Sequence, residues 1–237
     1  MTGPAGSTPE SIREKTLALI PALNAARTIE PVILAARNEL QHVVVIDDGS
    51  SDDTAAVAGR AGATVLRHPR NRGKGGALKT GFQYVVENGF DAAITLDADG
   101  QHLPREIPKF LTARRDSGAD LIIGGRAHLF EKMLPRRRFA NRLSAAIISW
   151  AARTEITDSQ SGFRYYSARL LREIRLRSEG FDLESEVIIR AGVRGFPVIT
   201  IPIDLGFVDG LATSHYKPLA DSLRIAWTGI RARFIWR

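Results

Sequence analysis

Residues 94–104 read ITLDADGQHLP, an apolar run that stops at two carboxylates, Asp97 and Asp99, followed by an amide and an imidazole. Two nearby carboxylates repel each other unless a positive charge sits between them. A divalent cation meets that need, and oxygen ligands from Asp97, Asp99 and the Gln101 amide suit Mg²⁺ or Mn²⁺. The competing reading is a polar turn with two solvated acids, the ordinary fate of an isolated D-x-D pair.

The pair is not isolated. IPALN (20–24) and VVVIDDGSSDDT (43–54) are further apolar runs that end in polar residues: Pro21 with Asn24, and Asp47 with Asp48. NRGKGGALKTGF (71–82) sets Lys74 among glycines that permit close backbone approach to a phosphate whose charge the lysine would meet. It is not a P-loop, since the G-x-x-x-x-G-K-[ST] spacing is absent, and no G-x-G-x-x-G follows the first strand.

The elements that must position these groups alternate. Short β-branched or apolar runs at LALIPAL, HVVVID, TVLRHP, DAAITL and ADLIIGGR are separated by helical patterns, as in RTIEPVILAARNEL, with Ile29, Ile33 and Leu34 at helical spacing. Alternation of this kind predicts right-handed βαβ units and one mostly parallel central sheet flanked by helices, an α/β fold. Ligands bind beyond the carboxyl ends of such strands, so the polar strand ends should converge on one edge. Past Arg126 the pattern loosens into a basic amphipathic helix over 134–153, with Phe139, Leu143, Ile147 and Trp150 on one face. A helix and a strand follow within 179–207.

Composition bounds the rest. The 237 residues are 44% hydrophobic and 25% charged, ordinary for a globular chain. No cysteine is present, which excludes disulfides, thiolate metal sites and cysteine nucleophiles. No apolar run reaches the length of a membrane span, and the first residues lack a signal-peptide core. The expected setting is cytoplasmic, peripheral to the inner face of the membrane. We expect a disordered stretch at 1–14, one domain at 15–216 and a basic amphipathic tail at 217–237. The net charge of +7 would suit nucleic acid, anionic lipid or phosphorylated substrates. Aromatic residues are only 7% and none interleave with the basic runs in a recognised motif, so nucleic acid is not the expected partner.

Taken in order, IPALN, VVVIDDGSSDDT, NRGKGGALKTGF, LDADGQHLP, IIGGR, DSQSGFR and SHYKP resemble family 2 glycosyltransferases of GT-A fold. The likeness is to the dolichyl-phosphate mannosyltransferase-like and polyprenyl-phosphate glycosyltransferase branch, from about Leu17 to about Arg224. It implies a metal-dependent inverting transfer from a UDP- or GDP-linked sugar to a lipid phosphate or other lipid acceptor at the membrane surface. The implied contacts are Pro21, Leu23, Ala25 and the backbone near Ile46 around the base, and Asp48 on base or ribose. Lys74, Asp97, Ala98, Asp99 and Gln101 would meet the diphosphate and its cation. Arg126 would lie beside the diphosphate or acceptor phosphate. Ser144 with Arg138 or Arg142, together with Gln160 and His215, would serve the acceptor side, where Asp158, Ser161 and Arg164 also lie.

Glu184 and Glu186 raise the question of a base. Alternate acids on a helix point to different faces, so at most one reaches the cleft, and Glu186 is the one expected to orient the site. An acceptor that is already a phosphate needs no base. The chain departs from the resemblance at PALNA, where Leu23 replaces a base-stacking aromatic and Ala25 an acid, so nucleotide choice does not carry over. It also has Asp209 or Gly210 where the family's mannosyltransferases tend to carry an arginine, which weakens GDP-mannose as the donor. Two other classes compete: a non-catalytic nucleotide-sugar binding module, and a transferase with a soluble acceptor.

Overall fold

The computed structural model describes residues 9–126, 135–180 and 182–206. Its seven strands are β1 (Thr16–Ala22), β2 (His42–Asp47), β3 (Thr64–Arg67), β4 (Ala92–Thr95), β5 (Leu121–Gly125), β6 (Arg164–Ser167) and β7 (Val198–Pro202). They form one sheet in the order β3-β2-β1-β4-β6-β5-β7, parallel except for β6, which runs antiparallel between β4 and β5. The helices are α1 (Pro9–Glu14), α2 (Ile29–Glu39), α3 (Thr54–Arg60), α4 (Gly73–Glu87), α5 (Ile107–Ser117), α6 (Pro135–Ala152), α7 (Ala168–Glu173) and α8 (Leu183–Val193).

Both faces of the sheet are covered, which is why β1 and β2 are apolar at nearly every position. The period of two sorts their side chains. Leu17, Leu19, Val44 and Ile46 pack on one face against Leu78 and Phe82 of α4 and Val187 and Ile188 of α8. Ala18, Ile20, Val43 and Val45 face the other way, onto Ile29 and Ile33 of α2 and Phe110 of α5. The expected mostly parallel sheet with flanking helices is what forms.

Part of the stretch expected to be disordered is helical. Residues 9–14 make α1, where Ile12 packs partly buried against the second core and Arg13 donates to the carbonyls of Asn38 and Glu39. Those carbonyls close α2, so the arginine supplies donors to a helix end that needs them.

The parallel strands end on one edge. Because β6 is reversed, the segment leading into it, residues 158–163, lies at that same edge, and Gly124 N donates to Phe163 O at 2.9 Å. The strand order reverses between β1 and β4, and such a switch point opens a crevice.

Candidate active site

Beyond β4 the chain turns on itself. The Asp97 backbone N–H donates to His102 Nδ1 at 3.0 Å, and Gln101 N donates to Asp99 Oδ1 at 2.9 Å. Lys74, in the first turn of α4, brings Nζ to 2.7 Å from Asp97 Oδ1 and 3.4 Å from Glu184 Oε2. Three separate elements therefore meet at one ammonium. Burial alone would push the Asp97 carboxyl up, but Lys74, with His102 and Arg126, outweighs it and holds the group well below the usual carboxylate range. Burial likewise opposes the charge on Lys74, and Asp97 and Glu184 reverse that, holding the ammonium above its ordinary value. Burial lowers His102 below the usual imidazole value.

At the end of β5, Arg126 Nε donates to Asp158 Oδ2 at 2.8 Å, and its backbone N–H donates to the same oxygen at 3.1 Å. Burial works against both charges, yet each holds the other: Asp158 lies below the usual carboxylate range and Arg126 above its own. Arg164 was expected on the acceptor side and does not reach it. It is fully buried, donating to the carbonyls of Ser159, Ser161 and Glu184. Its guanidinium is a strut that holds the 159–161 loop against the start of α8.

The side expected to take the donor is tied together as closely. Asp47 Oδ1 accepts from Ser50 N, as expected of a turn-capping acid, and its other oxygen pairs with Arg67. Asp48, expected to be free for a nucleotide, is engaged: its Oδ1 accepts from His68 Nδ1 at 2.6 Å and from Arg72 N at 2.9 Å. Pro21 and the exposed Leu23 stand at the end of β1, while the Ile46 side chain is fully buried and leaves only backbone to a ligand. The Ala25 N–H donates to Thr54 Oγ1 and its carbonyl accepts from Thr28 and Ile29, so its backbone holds the loop together. Next to Asp48, Gly49, Ser50, Arg67, His68 and Pro69 line an open cleft of about 380 Å³.

Three expectations need correction. Glu186 does not orient the cleft: it is fully buried, accepts from Arg177 N and Ser178 N, and pairs with Arg190 at 2.6 Å. Glu184 is the acid that faces Lys74. The glycines of NRGKGG do not open a path for phosphate at Gly75, because a Cβ there would meet the Glu179 and Gly180 backbone at 2.5–2.6 Å. They let that loop close over α4. Ser144 and Arg142 do not act together: Ser144 is buried with its hydroxyl 3.1 Å from that of Ser159, whereas Arg142 is exposed. Gln160 N donates to Asp158 Oδ1, which places it on the Arg126 side of the site. His215 and the 217–237 tail lie outside the described residues.

His68 and His102 were not foreseen as site residues. His102 was within reach of the sequence, five positions after Asp97 in the same turn. His68 carried no signal, since its partner Asp48 lies on another strand.

The surroundings of Asp97 fit a divalent cation. A Cβ on Gly162 would stand 2.8 Å from Lys74 Nζ and 3.2 Å from Asp97 Oδ2, so only a glycine lets the backbone at 162 approach that pair. The donors on offer are hard oxygens, ionised at Asp97. Among the described residues no group of three or more acids or histidines is placed to hold a metal alone.

The sheet and its order are those of a GT-A fold. The chain belongs to Glycosyl transferase family 2, whose profile matches residues 18–175, and within it to the polyprenyl-phosphate glycosyltransferase branch. It is 31% identical to the undecaprenyl-phosphate mannosyltransferase of Micrococcus luteus, over 92% of this chain and 98% of that one. It is 28% identical to the polyprenol monophosphomannose synthase of Mycolicibacterium smegmatis, over 97% and 93%. In fold it is similar to the glucosyl-3-phosphoglycerate synthase of Mycobacterium tuberculosis, solved with Mn²⁺, UDP and glucosyl-3-phosphoglycerate. There the TM-score is 0.67 at 19% identity, over 98% of this chain and 86% of that one.

Proposed function

We propose that this glycosyltransferase moves a sugar, with inversion, from a UDP- or GDP-linked donor to a polyprenyl phosphate at the cytoplasmic surface of a membrane. The observation that carries the reading is the neighbourhood of the cleft. α6 buries Ser144 against the 158–161 loop, and its outward side carries Phe139, Leu143 and Trp150 at 69%, 48% and 56% exposure. Arg138 and the exposed Arg142 lie on the same helix. Apolar side chains flanked by arginine are the make-up of an interfacial helix. Among the described residues no helix is long and apolar enough to cross a membrane.

In the reaction an acceptor phosphate oxygen forms a bond to the anomeric carbon as the bond to the nucleoside diphosphate breaks. The leaving group takes the electron pair. Asp97 and Asp99, with the Gln101 amide, would hold Mg²⁺ or Mn²⁺. When bound, the cation supplies charge neutralisation to the departing diphosphate. Lys74 adds a fixed positive charge beside it, and Glu184 with Asp97 holds that ammonium in place. Arg126, oriented by Asp158, offers a guanidinium to the acceptor phosphate. No proton has to be removed from such an acceptor, and Glu184, engaged with Lys74, serves as an orienting acid and not a base.

The test is transfer from labelled UDP- and GDP-sugars with Mn²⁺ or Mg²⁺, offered undecaprenyl phosphate in vesicles or soluble phosphorylated acceptors. Label should enter the lipid extract. Label appearing only in a soluble product would replace the lipid acceptor, and binding without turnover on any acceptor would leave a nucleotide-sugar binding module.

A further inference from the structure

His68 contacts two residues that belong to different parts of the donor site. Its Nδ1 is 2.6 Å from Asp48 Oδ1 at the end of β2, and its Nε2 is 2.9 Å from Thr80 Oγ1 in the middle of α4. The ring is 7% exposed and the Asp48 side chain 5%. An ionised carboxylate only accepts, so Nδ1 carries the proton in that contact. The second bond to the acid, from Arg72 N at 2.9 Å, falls on the same oxygen. Among the described residues both contacts leave Oδ2 of Asp48 as the acceptor still to be used. Thr80 is in turn fixed by its own helix, donating to Gly76 O at 3.2 Å. Six residues earlier, in the first turn of that helix, stands Lys74, the residue beside Asp97.

We propose that His68 is a positioning residue for the donor nucleotide, holding Asp48 with one oxygen turned to the ligand and tying that acid, through Thr80, to the helix that carries Lys74. The proposal rests on Asp48 contacting the base or ribose of the donor. A carboxylate free to rotate would have to be ordered at each binding event, and a pre-fixed one avoids that cost. His68 also lines the cleft beside Gly49, Ser50, Arg67 and Pro69, so the same ring shapes the wall against which the nucleotide rests.

The two ends of the imidazole can be removed separately. An asparagine amide reaches the position of Nδ1 and not that of Nε2, whereas a glutamine amide reaches toward Nε2. Titration calorimetry with UDP and with GDP, each with Mn²⁺, should find His68→Phe about tenfold weaker for the nucleotide that binds the native protein, as expected for one buried charge-assisted hydrogen bond. His68→Asn should regain most of that loss and His68→Gln little of it. Combined with Asp48→Ala, His68→Phe should add almost nothing, because the acid it positions is gone. In turnover the effect should fall on the donor KM and not on kcat.

Three outcomes decide. If Asp48→Ala leaves nucleotide affinity unchanged, the reading of Asp48 fails and the proposal falls with it. If Asp48→Ala weakens binding while His68→Phe does not, or the two losses add in full, only the role of His68 is overturned. If all three His68 variants melt early and bind alike, the ring is a packing residue and the proposal is wrong.

Discussion

Glu184 and Glu186 stand two positions apart on α8 and their carboxylates are committed to different partners. Glu184 Oε2 lies 3.4 Å from Lys74 Nζ, and Glu186 accepts from the Arg177 and Ser178 amides while pairing with Arg190. Their substitutions should separate accordingly. Glu186→Ala breaks a buried ion pair and abandons two amides, so it should cost about 3–5 kcal/mol of stability. Glu184→Gln should leave the melting temperature nearly unchanged and lower kcat. Equal melting losses in both variants would contradict the assignment.

Asp99→Asn and Asp97→Asn remove charge without volume. Turnover should drop by about 10²-fold or more in each, in the range seen when one stabilising group is lost from a transition-state site. Excess chelator should do the same to the native protein, and added Mn²⁺ should restore it. Full turnover in chelator would remove the cation from the mechanism.

The Arg126–Asp158 pair gives a pH dependence whose sign is fixed. The folded Asp158 carboxyl lies below its ordinary value of 3.8, because Arg126 and two backbone amides overcome the cost of burial. A depressed acid contributes stability that is fully present above its unfolded value and is lost as pH falls through its folded value. Denaturant titrations at pH 7, 4 and 3 should show the native protein weakening on acidification. Asp158→Asn should start lower and change less between pH 4 and pH 3. A parallel decline in both proteins would show that other acids control acid unfolding.

Vesicle flotation checks the membrane. Each basic residue near an anionic surface contributes about 1 kcal/mol, so binding should require anionic lipid and weaken with salt. Arg138→Gln with Arg142→Gln should reduce it, and Phe139→Ser with Trp150→Ser should reduce it even at low salt. A protein that stays in solution with anionic vesicles at low salt would favour a soluble acceptor.

How far these features can be seen without coordinates depends on whether they are local. The strands and the turn at Asp97 are written in consecutive residues, because apolar runs bury on both faces and a D-x-D ends one of them. The amphipathic helix follows from spacing alone, whereas the exposure of Phe139, Leu143 and Trp150 is decided by how the helix packs. Contacts across the sheet leave no such trace. His68 finds Asp48 across two strands, and Arg164 is drawn beneath the 159–161 loop only because β6 runs backwards. The glycines near Lys74 looked like ligand space for the same reason, since the loop that fills it, 179–180, comes from far along the chain. Choosing between Glu184 and Glu186 needed the position of the 177–178 amides, which no periodicity encodes.

The reversed strand also divides how the molecule assembles. β3, β2, β1 and β4 are neighbours drawn from the first part of the chain, and with α4 they position Asp48, Lys74 and Asp97. The other half closes only when β6 docks against β4, with Thr95 opposite Arg164 after a long excursion of chain. Long-range closures cost more entropy than local ones and form late. That half, which holds the proposed nucleotide contacts, should thus be the more protected unit in native-state hydrogen exchange, with β5, β6, β7 and α8 opening together at lower free energy. Uniform exchange across the sheet would rule this out. On this view a partly opened molecule would keep Asp48 and His68 in place while Arg126 and Glu184 are displaced, so the proposed donor contacts would outlast the acceptor-side ones.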